Sequence, residues 1–217
     1  MQAFFHIRRE QIRRFHIERY TRLGGQFHFH SHIELMLIEE GSATAWIGDT
    51  SEVLYAGEIA IVPSYATHQF YAKQDSVKCT DLFIPTFLCP DFMEAVSNKR
   101  AVHPFLRNPE ATAKIKAAIA ELERENLNPI EQTGYLHVIL GTVLHHLSFE
   151  NGGPDQNTDL PARLLLYINE HFKEDISTEQ IARAMATDVN LVAIKAAALK
   201  EAGHPIELPD HNTRFLQ

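Results

Sequence analysis

The chain has 217 residues, enough for one large domain or two small ones, and its 45% hydrophobic and 22% charged residues are an ordinary globular balance. A formal net charge of −8 does not advertise nucleic-acid binding, because phosphate contacts come from Lys and Arg. No apolar run is long enough to span a bilayer, and no charged leader with a long apolar core opens the sequence. Cys79 and Cys89 form neither a Cys-x2-Cys pair nor a disulfide framework, so the cytoplasm is the expected compartment and no membrane is expected as a partner.

Residues 4–85 read as β structure. Arg8, Arg9, Arg13, Arg14, Arg19 and Arg22 make a local basic excess, read as a solvated strand face and loop. The run from Gly24 to Glu34 then sets His28, His30 and His32 at alternate positions, with a carboxylate following. In a strand, residues i, i+2 and i+4 share a face, so the three imidazoles are expected to point the same way. Imidazoles joined by a carboxylate suit a divalent transition metal.

Leu35-Met36-Leu37-Ile38 is a buried strand that stops at Gly41. Ala43 to Ile47 and Val53 to Tyr55 flank Gly48-Asp49, a hairpin turn. Tyr55 to Ile59 turns again into the strand Ile59 to Val62, which Pro63 ends, and Gln69 to Tyr71 and Val77 to Ile84 complete the set. Short strands between glycine turns suit a sandwich or a barrel, and periodicity does not choose between them.

After Pro90 the period becomes helical. Helices are expected over Asp91–Val102, over Glu110–Asn126 with Ile115, Ile119 and Leu122 on one stripe behind Pro109, and over Ile130–Glu150. The last holds Leu136, Ile139, Leu140, Val143, Leu144 and Leu147, a face broad enough to pack on the β domain or on the same helix of a second chain. Residues 151–161, rich in Gly, Asn and Asp, read as a linker. Beyond it lie an amphipathic helix over 162–172 and a second helix capped by Ser177 with Gln180 at the capping-box position. A turn over Thr187–Asn190 leads to a third helix from Leu191 to Ala202, closed by Gly203. The last two form a helix-turn-helix, although composition alone fits any small helical bundle.

The spacing His28-x-His30-x3-Glu34-x6-Gly41 resembles the first motif of the cupin barrel, and Gly57-x5-Pro63 followed by His68 resembles the second. Tyr65 stands where that family usually has Gly, and Arg22 holds the place of the first motif's opening glycine. This resemblance chooses the barrel, so that with the segments beyond it the chain reads as a mainly β cupin (double-stranded β-helix) barrel followed by α-helices and a partial α-helical helix-turn-helix domain. In metal-using cupins, His28, His30, Glu34 and His68 would be the four ligands.

The order of barrel, helical hairpin, polar linker and the runs Ile168 to Phe172 and Ile176 to Ala182 resembles the AraC-type bacterial transcription regulators. The implied organisation is an effector-sensing barrel over 1–90, a helical dimerisation hairpin over 91–150, the linker, and a partial DNA-binding domain over 162–217. The implied function is a ligand-responsive, homodimeric regulator rather than an enzyme, with DNA and a small-molecule effector such as a sugar as partners. In such regulators, His28, His30, Glu34 and His68 line an effector pocket with no resident cofactor, walled by Trp46, Phe70 or Tyr71; a divalent metal on the same four residues is the second reading. The alternative is a metal-dependent cupin enzyme, an isomerase or dioxygenase. Asn190 and Lys195, with Thr187 near the backbone, are the candidate DNA contacts. The family's basic and aromatic residues are replaced in the third helix by Ala196-Ala197-Ala198, and residues 162–217 hold six Lys or Arg against eight Asp or Glu. No second helix-turn-helix follows Gly203. A truncated or frame-altered regulator, or a fragment of a longer gene, with weak DNA binding is therefore expected.

Overall fold

The computed structural model describes residues 4–6, 12–73, 77–97, 99–151, 164, 167, 171 and 177–185, in two compact units, 1–157 and 158–217. In the first unit the strands are β1 (Phe4–Phe5), β2 (His16–Tyr20), β3 (His28–Phe29), β4 (Ile33–Glu40), β5 (Ser42–Ile47) and β6 (Thr50–Tyr55). They continue as β7 (Ile59–Val62), β8 (His68–Tyr71), β9 (Lys78–Ile84), β10 (Lys99–Ala101), β11 (Phe105–Leu106) and β12 (Phe149–Asn151). Two five-stranded sheets run in the orders β1-β3-β8-β5-β6 and β11-β7-β4-β9-β2, and β10 pairs with β12 as a separate ribbon. All pairings are antiparallel except β1 with β3. This is the double-stranded β-helix of a cupin barrel.

β4 organises the second sheet because it is buried on both faces. Its alternation sends Ile33, Leu35 and Leu37 outward into one apolar core and Met36 and Ile38 inward into another. The β5–β6 hairpin turns at Gly48-Asp49 with φ +56° at Gly48, the left-handed conformation a two-residue turn of this hand requires at its first position.

Four helices are described: α1 (Pro90–Ala95), α2 (Pro109–Leu122) and α3 (Pro129–His146) in the first unit, and α4 (Thr178–Met185) in the second. Asn108 caps α2 by accepting from the Ala111 amide, with Pro109 behind it. Asn128 and Glu131 form a full capping box on α3. Ile115, Ile119 and Leu122 of α2 meet Leu136, Ile139, Leu140 and Val143 of α3, and both rows join Ile33, Leu35, Leu37, Leu82 and Ile84 of the sheet. Barrel and helical pair therefore share one core.

Three expectations are corrected here. The helix over 91–102 stops at Ala95, and Lys99–Ala101 instead pair with β12, where Arg100 Nε donates to Glu150 Oε1 at 2.6 Å. The helix reaching Glu150 ends at His146, since Leu147 is already extended at φ −97° and ψ 142°. The broad face of α3, which the sequence leaves open between the β domain and a second chain, packs on the β domain at Leu140, 2% exposed, while Leu144 is partly buried. The exposed apolar side chains of α3 are Ile130 and Val138. The barrel's sheet also draws on β11, beyond residue 90.

Cys79 and Cys89 are each 1% exposed, and burial pushes both thiols up to about 12. At pH 8 roughly one thiol in ten thousand is then ionised. Ellman's reagent should find no reactive thiol in the folded protein and two after urea unfolding. Prompt stoichiometric labelling of the native protein would contradict this packing.

Candidate metal centre and effector site

His28 lies on β3, Glu34 on β4 and His68 on β8, so the two sheets contribute to one interior point. His28 pairs directly with His68 across β3 and β8, and their rings stand 4.2 Å apart. His30 is not in a strand. The chain leaves the sheet over His30-Ser31-His32, between β3 and β4, and this break overturns the expectation that three alternate histidines share a face. His32 turns away and its Nε2 donates to the Ile12 carbonyl at 3.2 Å, while His30 points to His68 with ring centroids 4.9 Å apart.

The break has visible causes in the turn Pro63-Ser64-Tyr65-Ala66, closed by the Ala66 amide donating to the Pro63 carbonyl at 3.0 Å. Ser64 Oγ donates to the Ser31 carbonyl at 2.7 Å, and the Tyr65 amide donates to the His30 carbonyl at 2.7 Å. Both carbonyls are drawn out of any ladder. Tyr65 sits at φ +60°, a left-handed position that costs an L-residue about 1–2 kcal/mol.

The imidazoles are oriented by a common device. Nδ1 of His28 donates to the Gln26 carbonyl at 3.0 Å, Nδ1 of His30 to the His32 carbonyl at 3.2 Å, and Nδ1 of His68 to the Ala66 carbonyl at 2.8 Å. A carbonyl only accepts, so each Nδ1 carries the hydrogen and each Nε2 is left to the interior. Glu34 Oε2 lies 2.8 Å from His30 Nε2 and 3.1 Å from His68 Nε2, the second contact being a Coulombic approach off the hydrogen-bond direction. His30, Glu34 and His68 are all buried, and one ligand atom from each of the four residues lies within 4.8 Å of the others.

Burial drives the His28 imidazole down to about 3, with His68 nearby adding to the effect, so His28 is neutral at ordinary pH. Burial alone would raise the Glu34 carboxyl. The neighbouring His68 and the hydrogen bond with His30 together outweigh it and hold the carboxyl well below the usual range. A carboxylate thus faces nitrogen donors whose other ring positions are already committed, and the 2.8 Å approach needs a proton or a cation between the groups. Three Nε2 donors and one carboxylate oxygen fit a divalent transition metal, and the carbonyl bonds at Nδ1 are the outer-shell partners that metal-bound histidines ordinarily have.

Of the expected apolar walls, Phe70 faces inward, with its ring 5.9 Å from that of His68. Trp46 does not. It pairs with Gln69 on the opposite face of the sheet and packs its edge against Phe27 at 6.2 Å, because strand alternation gives the interior to Ala45 and Ile47. Tyr71 is likewise on the outer face and exposed. Two neighbours escaped the sequence reading: Phe83, whose ring is 5.8 Å from His30, and His6, 5.5 Å from His28 and brought there by the β1–β3 pairing. Only that pairing, with no motif of its own, could have found His6.

In the second unit, Ser177 Oγ accepts from the Gln180 amide at 3.3 Å and Gln180 Oε1 from the Ser177 amide at 2.6 Å, a reciprocal cap that starts α4. Ile181, Ala182 and Met185 are its buried face. Thr187, Asn190 and Lys195 lie outside the described residues.

A two-sheet barrel with three histidines and one glutamate gathered at its interior is a cupin-type domain. The chain belongs to the AraC-like ligand binding domain family, whose family model matches residues 13–140. Among solved structures, the AraC-like transcriptional activator CuxR is similar over 88% of this chain and 74% of its own, at TM-score 0.51 and 15% identity. ToxT from Vibrio cholerae O395 is similar over 88% and 83%, at TM-score 0.47 and 8% identity. A cupin-2 domain protein from Shewanella frigidimarina NCIMB 400 matches 31% of this chain and 66% of its own, at TM-score 0.28 and 23% identity. No curated protein matches the sequence. Among the described residues, no helix is long and apolar enough to cross a membrane.

Proposed function

We propose that this protein is a ligand-responsive transcription regulator of the AraC type, acting in the cytoplasm, whose barrel senses a small molecule at the His28–His30–Glu34–His68 cluster. The observation that carries the reading is the convergence of four buried donors inside a domain of a ligand-binding family. These four residues line the effector pocket as hydrogen-bonding groups for an oxygen-rich effector such as a sugar or another small metabolite, and would hold a divalent transition metal, which would supply a Lewis-acid contact for the same effector. Phe70 and Phe83 furnish apolar walls, and burial of His30, Glu34 and His68 keeps bulk water from the donors.

The second unit binds DNA through Asn190 and Lys195, with Thr187 near the backbone. Six Lys or Arg against eight Asp or Glu over 162–217 make that binding weak and strongly salt-dependent. The regulator is a homodimer in this reading, with the helical segment 91–150 supplying the contact.

Elemental analysis of protein purified without chelator should find about one transition metal per chain. Gel-shift titration against the upstream region of its own gene, with and without sugars, should show a complex at low salt that effector strengthens or weakens. Metal without any ligand-dependent change in DNA binding would reject the regulator. The same set of three imidazoles and one carboxylate favours a second reading, a metal-dependent cupin isomerase or dioxygenase. Turnover of a sugar phosphate or of a phenolic substrate by the metal-loaded protein would move the function there.

A further inference from the structure

The turn from Pro63 to Ala66 touches both halves of the cluster. On its outer side, the Tyr65 amide and the Ser64 hydroxyl hold the carbonyls of His30 and Ser31, each at 2.7 Å. On its downstream side, the Ala66 carbonyl fixes His68 by accepting from Nδ1 at 2.8 Å. The distance between two of the four donors is therefore set by the shape of one four-residue turn. Its third residue has φ +60°, a conformation suited to glycine, yet an aromatic residue occupies it. The Tyr65 side chain is only 9% exposed, so the strain is offset by burial of a large ring.

We propose that Tyr65 is a positioning residue for the cluster: its buried ring locks the turn in the left-handed form, and the locked turn holds His30 and His68 at their donor spacing. A glycine would adopt the same φ without strain but would leave the turn free to move. An alanine would keep the steric penalty and lose the anchor, so the turn would relax and carry the Tyr65 amide away from the His30 carbonyl. Both ligand segments would then loosen together, although neither ligand had been altered.

The inference rests on the metal reading for one of its two readouts only. The first is made on metal-free protein with 15N-labelled histidine. In the wild type, long-range 1H–15N spectra should show a hydrogen fixed on Nδ1 of both His30 and His68. In Tyr65→Ala both Nδ1 signals should broaden or shift as their carbonyl bonds loosen, while His137, bonded to the Thr133 carbonyl on an exposed helix face, stays unchanged. The second readout is a cobalt(II) absorption titration: Tyr65→Ala should bind ~10–100-fold more weakly, the loss typical of a missing outer-shell partner, with an altered d–d spectrum. Tyr65→Phe, which keeps the ring, should bind more tightly than Tyr65→Ala, and Tyr65→Gly should fall between these two. Leu54→Ala, a cavity in the inner apolar core on β6, a strand that carries none of the four donors, controls for general destabilisation and should lower the melting temperature without moving either readout. Should Tyr65→Ala fail to fold, Tyr65→Gly carries both measurements. Unchanged His30 and His68 Nδ1 signals in the variant overturn the inference. A wild type that binds no cobalt overturns the metal reading instead, and the Nδ1 spectra still decide the role of Tyr65.

Discussion

Leu140→Glu should abolish folding, not assembly. Leu140 is 2% exposed in the core shared by α2, α3 and the outer face of the β4 sheet. A carboxylate placed there has no partner to compensate its lost hydration, and such a penalty approaches the whole stability of a domain, about 5–15 kcal/mol. Circular dichroism should show loss of the cooperative transition, and soluble yield should fall. Ile130→Glu is the contrasting change, since Ile130 is 84% exposed. It should leave the fold intact, so that light scattering of this variant reports on assembly alone. A folded, monomeric Leu140→Glu protein would show that the α3 core is misplaced.

The sequence exposed the stripe on α3 but not its destination. Leu136, Ile139, Leu140 and Val143 have the same spacing whether they face a sheet of their own chain or a second protomer. Tertiary pairing decided, and no local pattern records it. The strand assignments fared better where the local pattern was strong: β4, β7 and β9 follow continuous apolar runs, β5 alternates cleanly, and Gly48 marks the hairpin. β11 has two residues and β10 and β12 three, and such short strands exist only through their partners. At the site, the two motifs name the four residues that the barrel brings together. They do not reveal that the chain breaks at His30-Ser31, because the Ser64 hydroxyl that takes the Ser31 carbonyl lies 33 residues downstream of it. Nor do they place Trp46, for which a shift of one residue in register reverses inside and outside.

Glu34→Ala should have the largest effect at the site itself. Glu34 is 2% exposed and its Oε2 faces both His30 and His68. Removing one side of a buried charged group typically costs about 3–5 kcal/mol, because its partners stay behind without compensation. Urea unfolding of the metal-free protein, followed by the fluorescence of its single tryptophan, Trp46, should show the midpoint falling accordingly. Cobalt affinity should drop by more than the ~10–100-fold expected for an outer-shell change, because a ligand itself is lost. Wild-type stability together with wild-type metal affinity would remove Glu34 from the site.

The position of β4 has a mechanical consequence. Glu34 points to the donors, and Leu35, the next residue, belongs to the core that α2 and α3 complete. An extended strand has almost no slack along its axis, so the two faces of β4 shear as one rod. Any displacement that a bound ligand imposes on Glu34 reaches the helical pair across a single peptide unit. Glu34 and the helical core are thus in series on one stiff element.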